Sequence, residues 1–261
     1  MAIEWNKKIA DEHYEVRSAG ATRRLYTNNV FHSQYNPNNL LQGGVWDLLT
    51  LPAFAFTEDK LQRVLVLGVG GGTVLKQIQK YISPSCITGI ELNPVHLTVA
   101  KKYFGLRHKS FELIEADAIE WLTTYQGEKF DLIIDDLFGH QEGVADRVVK
   151  VNKQWAEVLL KHLNSNGIVA INFGSNKELK NSAMLAYKKI ANQFKTILRL
   201  TIPAYENAIG VFCFDNVNAK TMRESFQDRM GLKTKNQKNK LKYSTKIIIC
   251  RNLNSTYKVS N

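Results

Sequence analysis

A strand that leads into a glycine-rich turn and then a helix is the feature that most limits how this chain can fold. Arg63–Thr73 has the sequence RVLVLGVGGGT. Its glycines Gly68, Gly70 and Gly72 permit positive φ angles and carry no Cβ, so a ligand can approach the backbone closely. Glu91 follows Gly68 by 23 residues, at the end of the next predicted strand. This spacing predicts a nucleotide site at the first turn of an α/β sheet.

From this turn onward, strand and helix patterns alternate, which is typical of βαβ units around a parallel sheet. Two late strands are separated only by Pro203–Asn207, too short for a helical crossover, so we expect them to pair antiparallel. The sequence therefore predicts a Rossmann-like α/β fold of the class I methyltransferase type, with a mostly parallel seven-stranded sheet that ends in an antiparallel hairpin. The predicted strands are Val64–Leu67, Ile87–Glu91, Phe111–Glu115, Phe130–Asp135, Ile168–Phe173, Ile197–Ile202 and Ala208–Phe214, and the longer predicted helices include Val148–Leu163 and Lys177–Phe194.

The residues on either side of this sheet form two smaller predicted units. Alternating residues from Tyr14, with the pair Asn28-Asn29 at a turn, indicate a small antiparallel β-unit, and an apolar helical stretch from about Leu40 to Phe54 links it to the sheet. We divide the chain into the N-terminal unit with its linking helix (1–60), a nucleotide-binding domain (61–217) and a basic C-terminal extension (218–261).

The side chains at the predicted strand ends indicate which nucleotide is bound. The dinucleotide fingerprint GxGxxG requires glycine where this chain has Thr73, so the turn fits better the GxGxG form that holds the methionine end of S-adenosylmethionine (AdoMet). Glu91 can accept both ribose hydroxyls, and Asp117, followed by Ala118, can accept from the adenine amino group. Three elements in this order predict a site for an adenosine-containing ligand.

The same segments resemble spermidine synthases. The run VLVLGVGGGTVLK is similar to their VLIIGGGDGGVLRE, the segment GIELN that contains Glu91 and Leu92 to their ribose strand, and FDLIIDD, ending at Asp136, to their FDVIITD. The stretch IPAYENAIG resembles their IPTYPSGxxG, and Gln42, after the small β-unit, matches a ligand-contacting Gln. The resemblance covers about residues 14 to 215 and implies a transferase, with a homodimer through the N-terminal unit as the family's common assembly.

Departures from the family pattern lie where its chemistry takes place. Aminopropyltransferases hold the amine of decarboxylated AdoMet with an Asp in the turn, where this chain has Gly71, and position the polyamine with a second Asp, which falls on Gly139 here. Bare N–H groups at Gly71 would suit the carboxylate of intact AdoMet. We therefore expect methyl transfer to an unidentified acceptor. The alternatives are an aminopropyltransferase that uses decarboxylated AdoMet and a polyamine, with Glu142 replacing the missing acid, and a non-catalytic nucleotide-binding module.

Catalytic candidates follow the fourth strand of the domain. Asp136, and next to it Asp135, are expected to orient an acceptor amine, and His140 is a candidate base in a loop. His32 and His96 are assigned structural or surface roles. The acceptor pocket is expected to contain few carboxylates, which argues against a free polyamine.

Charge and cysteine content limit the partners. Lys220–Arg251 contains ten Lys and Arg against two acids, so this segment carries +8 of the net charge of +11. The segment is interpreted as a solvated tail, with an acidic macromolecule as the alternative partner. Three scattered cysteines without a CxxC motif predict no metal site, and the absence of a long apolar run predicts a soluble, cytoplasmic protein with no membrane partner.

Overall fold

The N-terminal unit is a four-stranded antiparallel sheet. The computed structural model describes residues 1–57, 59–141, 144–232 and 241–250 of the chain. The sheet follows chain order, and Asn28 and Asn29, with φ angles of 49° and 64°, form the predicted turn between its last two strands. It begins earlier than the sequence predicted, because a first strand precedes Tyr14. The strands are β1 (Ala2–Ile9), β2 (Glu12–Ala19), β3 (Thr22–Thr27) and β4 (Val30–Tyr35).

A short helical connection joins this sheet to the central domain. The predicted helix from Leu40 to Phe54 is divided into α1 (Val45–Thr50) and a 3-10 helix (Leu51–Ala55) that has Pro52 in its first turn. Leu48, Leu49 and Leu51 are almost fully buried, so the connection packs into the core of the domain.

Five parallel strands form one side of the second sheet, as the sequence predicted. Apolar residues fill the last four positions of β5 (Arg63–Leu67), all of them buried, which is typical of a strand covered by helices on both faces. Asn93 caps α3 (Pro94–Lys102) and Pro94 begins it, in agreement with the predicted helix start. The elements are β5 (Arg63–Leu67), α2 (Thr73–Tyr81), β6 (Cys86–Glu91), α3 (Pro94–Lys102), β7 (Phe111–Glu115), α4 (Ala118–Thr124), β8 (Phe130–Asp135) and, after two short strands and a helix described below, β11 (Leu163–Phe173).

Two long predicted helices were wrong in extent. Two antiparallel strands, β9 (Phe138–Gln141) and β10 (Val144–Arg147), precede the segment that was predicted as the helix Val148–Leu163. Within that segment, the helix α5 is confined to Lys153–Lys161, with Asn152 as its cap. The predicted helix Lys177–Phe194 is three short ones, because Ser182 and Tyr187 adopt extended conformations between them. These are α6 (Asn176–Asn181), α7 (Ala183–Ala186) and α8 (Lys188–Ala191).

The described parts of the C-terminal segment, residues 218–232 and 241–250, belong to the fold, which corrects for these parts the expectation of a solvated tail. After the confirmed antiparallel hairpin of β12 (Thr196–Thr201) and β13 (Ala208–Cys213), α9 (Ala219–Arg229) packs Phe226 edge-on against Phe54 at 5.1 Å. Strand β14 (Ser244–Cys250) then pairs antiparallel with β12. Within the described part of the chain, the sheet therefore has eight strands instead of the seven predicted, in the order β14-β12-β13-β11-β8-β5-β6-β7. The lysine-rich residues 233–240 lie outside the described residues, so an acidic partner, like the homodimer, stays a prediction.

Within the described ranges, none of the helices is long and apolar enough to cross a membrane.

Candidate active site

A cavity of about 790 Å³ lies between the N-terminal sheet and the carboxyl ends of the central strands. One wall comes from the N-terminal sheet and α1, and the floor from the residues that follow β5, β6 and β8. Five carboxylates line it, and among the described lining residues there is no Lys or Arg. This corrects the expectation of a pocket with few carboxylates. The five are Glu12, Glu91, Asp117, Asp136 and Glu206.

The first half of the glycine turn forms part of the cavity. Gly68 and Gly70 line it and have φ angles of +86° and +52°. A Cβ on Gly68 would lie 2.3 Å from the carbonyl oxygen of Asp136, so only glycine lets β5 and β8 approach this closely at their ends. The role of the turn in ligand binding stays a prediction.

The second half of the turn faces protein instead of the cavity. Gly71 is buried, and a Cβ there would lie 2.7 Å from Ser33 Oγ and 2.8 Å from Phe104 Cε1. Gly72 is at φ +80° and caps α2, where it too lies outside the cavity lining. The site of bare N–H groups that was expected for the AdoMet carboxylate at Gly71 is therefore not part of this cavity.

Glu91 ends β6 at the cavity floor and is bound to the glycine turn. Its Oε2 accepts the backbone N–H groups of Val69 (3.0 Å) and Gly70 (2.8 Å), and its Oε1 accepts that of Asn93 (3.0 Å). Burial alone would raise the pKa of Glu91, but His96 and these N–H donors outweigh it and hold the pKa below its usual range. The residue is therefore an ionised acceptor at the position predicted for the ribose hydroxyls.

His96 joins this carboxylate to the N-terminal sheet. Its Nδ1 lies 3.7 Å from Glu91 Oε1, and its Nε2 lies 2.9 Å from Thr27 Oγ1. The His32 ring lies 4.9 Å from the His96 ring, measured between centroids, and both histidines line the cavity. Neither is a surface residue remote from the site, and His96 connects the two sheets.

The predicted adenine residues also line the cavity. Asp117 caps α4 through Oδ1, which accepts the N–H groups of Ile119 (2.8 Å) and Glu120 (3.0 Å), and Ala118 is the first residue of that helix. Leu92 is 67% exposed although it lines the cavity, as Ile119 does. Two apolar side chains and a carboxylate thus line the cavity, a combination that suits a flat base with an exocyclic amine, and the adenine site stays a prediction.

The two neighbouring aspartates at the end of β8 have different surroundings. Asp135 is fully buried outside the cavity lining, and its oxygens accept Arg147 Nη2 at 3.0 Å each and Trp155 Nε1 at 2.9 Å. Its position assigns it to the packing of the domain, in contrast to the catalytic role predicted for it. Asp136 lines the cavity, so it alone of the pair can reach a substrate.

Asp136 is held by a chain of amides. Asn172 Nδ2 donates to Asp136 Oδ1 at 2.8 Å, and Asn207 Nδ2 donates to Asn172 Oδ1 at 3.0 Å. Burial raises the pKa of Asp136 to about 6, with Asp135 contributing in the same direction and the Asn172 hydrogen bond opposing it. A carboxylate with this pKa accepts a proton near neutral pH more readily than an ordinary Asp.

Two other predicted residues lie apart from this arrangement or outside the description. Gln42 is not a lining residue: its side chain bonds Gln34 (2.6 Å) and the carbonyl oxygen of Asn39. His140 lies on β9 with its Cα opposite Ala145, but its side chain is outside the description, as is the whole of Glu142. Their predicted roles stay predictions.

Sequence reasoning missed three polar residues that shape the site. Asn172 interrupts the apolar run IVAINF, and Asp47 is the only acid in VWDLLTL. In both places, a polar residue within an apolar run could have indicated a buried polar role. Asp47 Oδ2 accepts the N–H groups of Gln42 (2.9 Å) and Gly43 (2.7 Å), and burial raises its pKa to about 6. Glu206, in the loop between β12 and β13, had no such signal because a loop carboxylate is ordinarily solvated.

Among the described residues, no group of three or more His, Cys, Asp and Glu is arranged to hold a metal ion.

Comparisons with known proteins show the family of this chain. The family model described as the spermine/spermidine synthase domain matches residues 48–225. The polyamine aminopropyltransferase of Chromobacterium violaceum is 22% identical over 179 residues, 67% of this chain and 66% of that protein. The one from Buchnera aphidicola is 25% identical over 189 residues, 69% of this chain and 64% of that protein. The chain thus spans slightly less than two thirds of the length of these relatives.

Solved structures share the fold. A probable spermidine synthase from Corynebacterium glutamicum superposes with a TM-score of 0.69 at 14% identity, over 100% of this chain and 99% of that one. The spermidine synthase of Thermotoga maritima gives 0.62 at 16% identity, over 85% and 75%. Human methyltransferase-like protein 13, solved with SAH, gives 0.55 at 20% identity, over 74% and 86%. At these identities the likeness concerns the fold alone.

Proposed function

The chain belongs to the spermine/spermidine synthase family, and from this premise we propose that it transfers an aminopropyl group from decarboxylated AdoMet to an amine acceptor. The observation that carries the proposal is the charge of the cavity, which has five carboxylates and neither Lys nor Arg among its described lining residues. Decarboxylated AdoMet carries a sulfonium and an ammonium group, and polyamines are cations, so both substrates are attracted to such a cavity. Intact AdoMet adds a carboxylate that this cavity would repel.

The donor would bind along the ends of β5, β6 and β7. Glu91, ionised and held by the glycine turn, is the acceptor for the ribose hydroxyls. Leu92 and Ile119 offer apolar contact to the adenine, with Asp117 available to its amino group. Gly68 lets the end of β5 approach the backbone at Asp136, which brings the turn and the Asp136 carboxylate to the same cavity.

Asp136 would act on the acceptor. Its carboxylate takes a proton from the acceptor ammonium. The free amine nitrogen then attacks the carbon of the aminopropyl group that is bonded to the sulfonium sulfur. A C–N bond forms and the C–S bond breaks, with its electron pair remaining on sulfur as methylthioadenosine departs. The proton on Asp136 is then released to solvent. Asn172 and Asn207 hold the carboxylate in place during this step.

Methyl transfer from intact AdoMet is the second candidate, because the chain has Gly71 and Gly139 at two positions where the family pattern has acids. Its support is weakened by the turn itself, whose N–H groups at Val69 and Gly70 are already bound to Glu91. A non-catalytic nucleotide-binding module is the third candidate.

Calorimetric titration with each donor separates these candidates. We expect decarboxylated AdoMet to bind at least tenfold more tightly than AdoMet, which corresponds to about 1.4 kcal/mol. Incubation with a polyamine should then yield methylthioadenosine and an acceptor heavier by one aminopropyl unit. Tighter binding of AdoMet would support methyl transfer, and donor binding without turnover of any amine would support the third candidate.

A further inference from the structure

We propose that His96 is a positioning residue of the donor site, which holds the Glu91 carboxylate in place for the donor ribose by connecting it to Thr27 of the N-terminal sheet. The inference rests on the donor half of the proposed function, in which Glu91 accepts the ribose hydroxyls. It gives a part in donor binding to a buried histidine for which the sequence predicted a structural or surface role.

The first turn of α3 places His96 beside Glu91. Asn93 Oδ1 caps this helix by accepting the N–H groups of Val95 (2.9 Å) and His96 (3.4 Å). The N–H of the same Asn93 donates to Glu91 Oε1 at 3.0 Å, and its Nδ2 donates to the hydroxyl oxygen of Tyr14 on β2 at 2.9 Å. The cap of α3 therefore fixes the histidine and the carboxylate relative to each other and to the N-terminal sheet.

Both ring nitrogens of His96 face polar groups. Nδ1 lies 3.7 Å from Glu91 Oε1, and Nε2 lies 2.9 Å from Thr27 Oγ1. A lone pair on Nδ1 would be repelled by the neighbouring carboxylate, so Nδ1 carries a proton and the Thr27 hydroxyl bonds the other nitrogen. His96 is 7% exposed, and the Tyr14 ring packs edge-on against it at 6.0 Å between centroids. The ring therefore has little freedom to turn away from the carboxylate.

The contact with His96 leaves room on Glu91 for a ligand. The carboxylate already accepts the N–H groups of Val69 and Gly70 at Oε2, and that of Asn93 at Oε1. A carboxylate offers about four acceptor positions, and 3.7 Å is longer than a hydrogen bond, so Nδ1 stabilises the charge without taking the position that remains. Burial raises the pKa of Glu91, and the contact with His96 is the largest contribution that lowers it. His96 thus keeps Glu91 ionised and open to a ribose hydroxyl.

Methylthioadenosine and its analogue without the two ribose hydroxyls test this role, because the two nucleosides differ only in the groups that Glu91 would bind. Calorimetry should show that His96→Leu raises Kd for methylthioadenosine about five- to twentyfold, while Kd for the dideoxy analogue stays within about twofold. His96→Asn should recover most of the affinity, because the Asn Nδ2–H can replace Nδ1–H. Thr27→Val should raise Kd for methylthioadenosine about two- to fivefold, since the ring then loses its second anchor.

The matched control is His162→Leu, which removes another buried histidine. Its ring bonds the carbonyl oxygens of Val158 (2.9 Å) and Tyr125 (3.2 Å), and His162 is not among the described residues that line the cavity. His162→Leu should lower the unfolding temperature and leave both Kd values unchanged. If His96 only supported packing, His96→Leu would weaken the binding of both nucleosides equally. That result, or an unchanged Kd for methylthioadenosine, would overturn the proposal.

Turnover separates this inference from the proposed function. In His96→Leu, KM for decarboxylated AdoMet should rise about five- to twentyfold, while kcat and KM for the acceptor change less than about threefold. If the wild type binds methylthioadenosine but forms no aminopropylated amine, the proposed function fails, and the role of His96 stands or falls on the Kd values. A wild type that binds neither nucleoside, or binds both equally, would overturn the role of His96, because Glu91 would then not hold a ribose.

Discussion

The hydroxyl group of Thr73 donates a hydrogen bond to the backbone carbonyl oxygen of Gln34 at 2.6 Å, and it lies 2.8 Å from Ser33 Oγ. Thr73 is the first residue of α2, directly after the glycine turn, and Gln34 lies on β4 of the N-terminal sheet. The residue that departs from the dinucleotide fingerprint thus has a structural role, because it binds the wall of the cavity to the turn that forms its floor.

We predict that Thr73→Val lowers the free energy of unfolding by about 1–2 kcal/mol, because the shape is nearly kept while a partly buried carbonyl group loses its donor. Denaturant titration measures the loss. Thr98→Val is the control, since the Thr98 hydroxyl is exposed and bonds only the carbonyl oxygen of Pro94 in its own helix. Equal stability of the two variants would contradict the role assigned to Thr73, and Thr73→Ser should retain most of the wild-type stability.

The pH dependence of turnover should report on Asp136. A base must be ionised to take the proton, and burial raises the pKa of Asp136 to about 6, so kcat/KM for the acceptor should rise with pH through about 6 and be lost below it. Asp136→Asn should lower kcat by roughly 10²- to 10⁴-fold. The exposed Asp215→Asn variant should leave both the rate and the profile unchanged.

The neighbouring amide provides a sharper form of this test. The hydrogen bond from Asn172 lowers the pKa of Asp136, so Asn172→Leu should move the acidic limb of the profile to higher pH. A limb that stays in place in Asn172→Leu would mean that another group limits the rate at low pH.

Local patterns account for the parts of the fold that were predicted well. Arg63–Thr73 specifies a strand, turn and helix within eleven residues, and Asn93-Pro94 marks the start of α3 by its own cap chemistry. The C-terminal strand was missed because Ser244–Cys250 finds its partner in Thr196–Thr201, more than forty residues earlier, and its composition does not indicate that pairing. The lysine-rich residues before this strand favoured the prediction of a solvated segment, but the strand pairs with β12 instead.

The sequence located the strand ends that line the cavity. It did not show which side chains at those ends face the cavity and which face the core. Asp135 and Asp136 are adjacent acids after a strand that is buried on both faces, so alternation could not distinguish the cavity side from the core side. The partner that distinguishes them is Arg147, on β10, a strand that the sequence did not predict. Likewise, the sequence shows that Gly71 stands where the family pattern has an acid, but it does not show that Ser33 and Phe104 occupy the space around that position.

We therefore predict that Arg147 stabilises the fold. Its side chain is 2% exposed, and it contacts both oxygens of Asp135 and donates through Nη1 to the carbonyl oxygen of Asn172 at 2.6 Å. Arg147→Ala would leave a buried carboxylate without its cation, so unfolding should become easier by about 3–5 kcal/mol. Thermal or denaturant unfolding measures this, with the exposed Arg107→Ala as the control. A loss below 1 kcal/mol would mean that the pair is not formed in solution.

Restoring the family's acid in the turn is predicted to fail. In Gly71→Asp, the Cβ alone would lie 2.7 Å from Ser33 Oγ and 2.8 Å from a ring carbon of Phe104, so the strand that carries Ser33 must shift away from the turn. We expect Gly71→Ala and Gly71→Asp both to lose about 1–3 kcal/mol of stability, whereas Gly44→Ala, whose nearest contact is 3.5 Å, should lose less. Calorimetry should show weaker, not stronger, binding of decarboxylated AdoMet to Gly71→Asp, because the added carboxylate would lie between the two sheets instead of in the cavity. Tighter binding in that variant would mean that the turn opens toward the ligand and that a side chain at position 71 can take part in binding the donor.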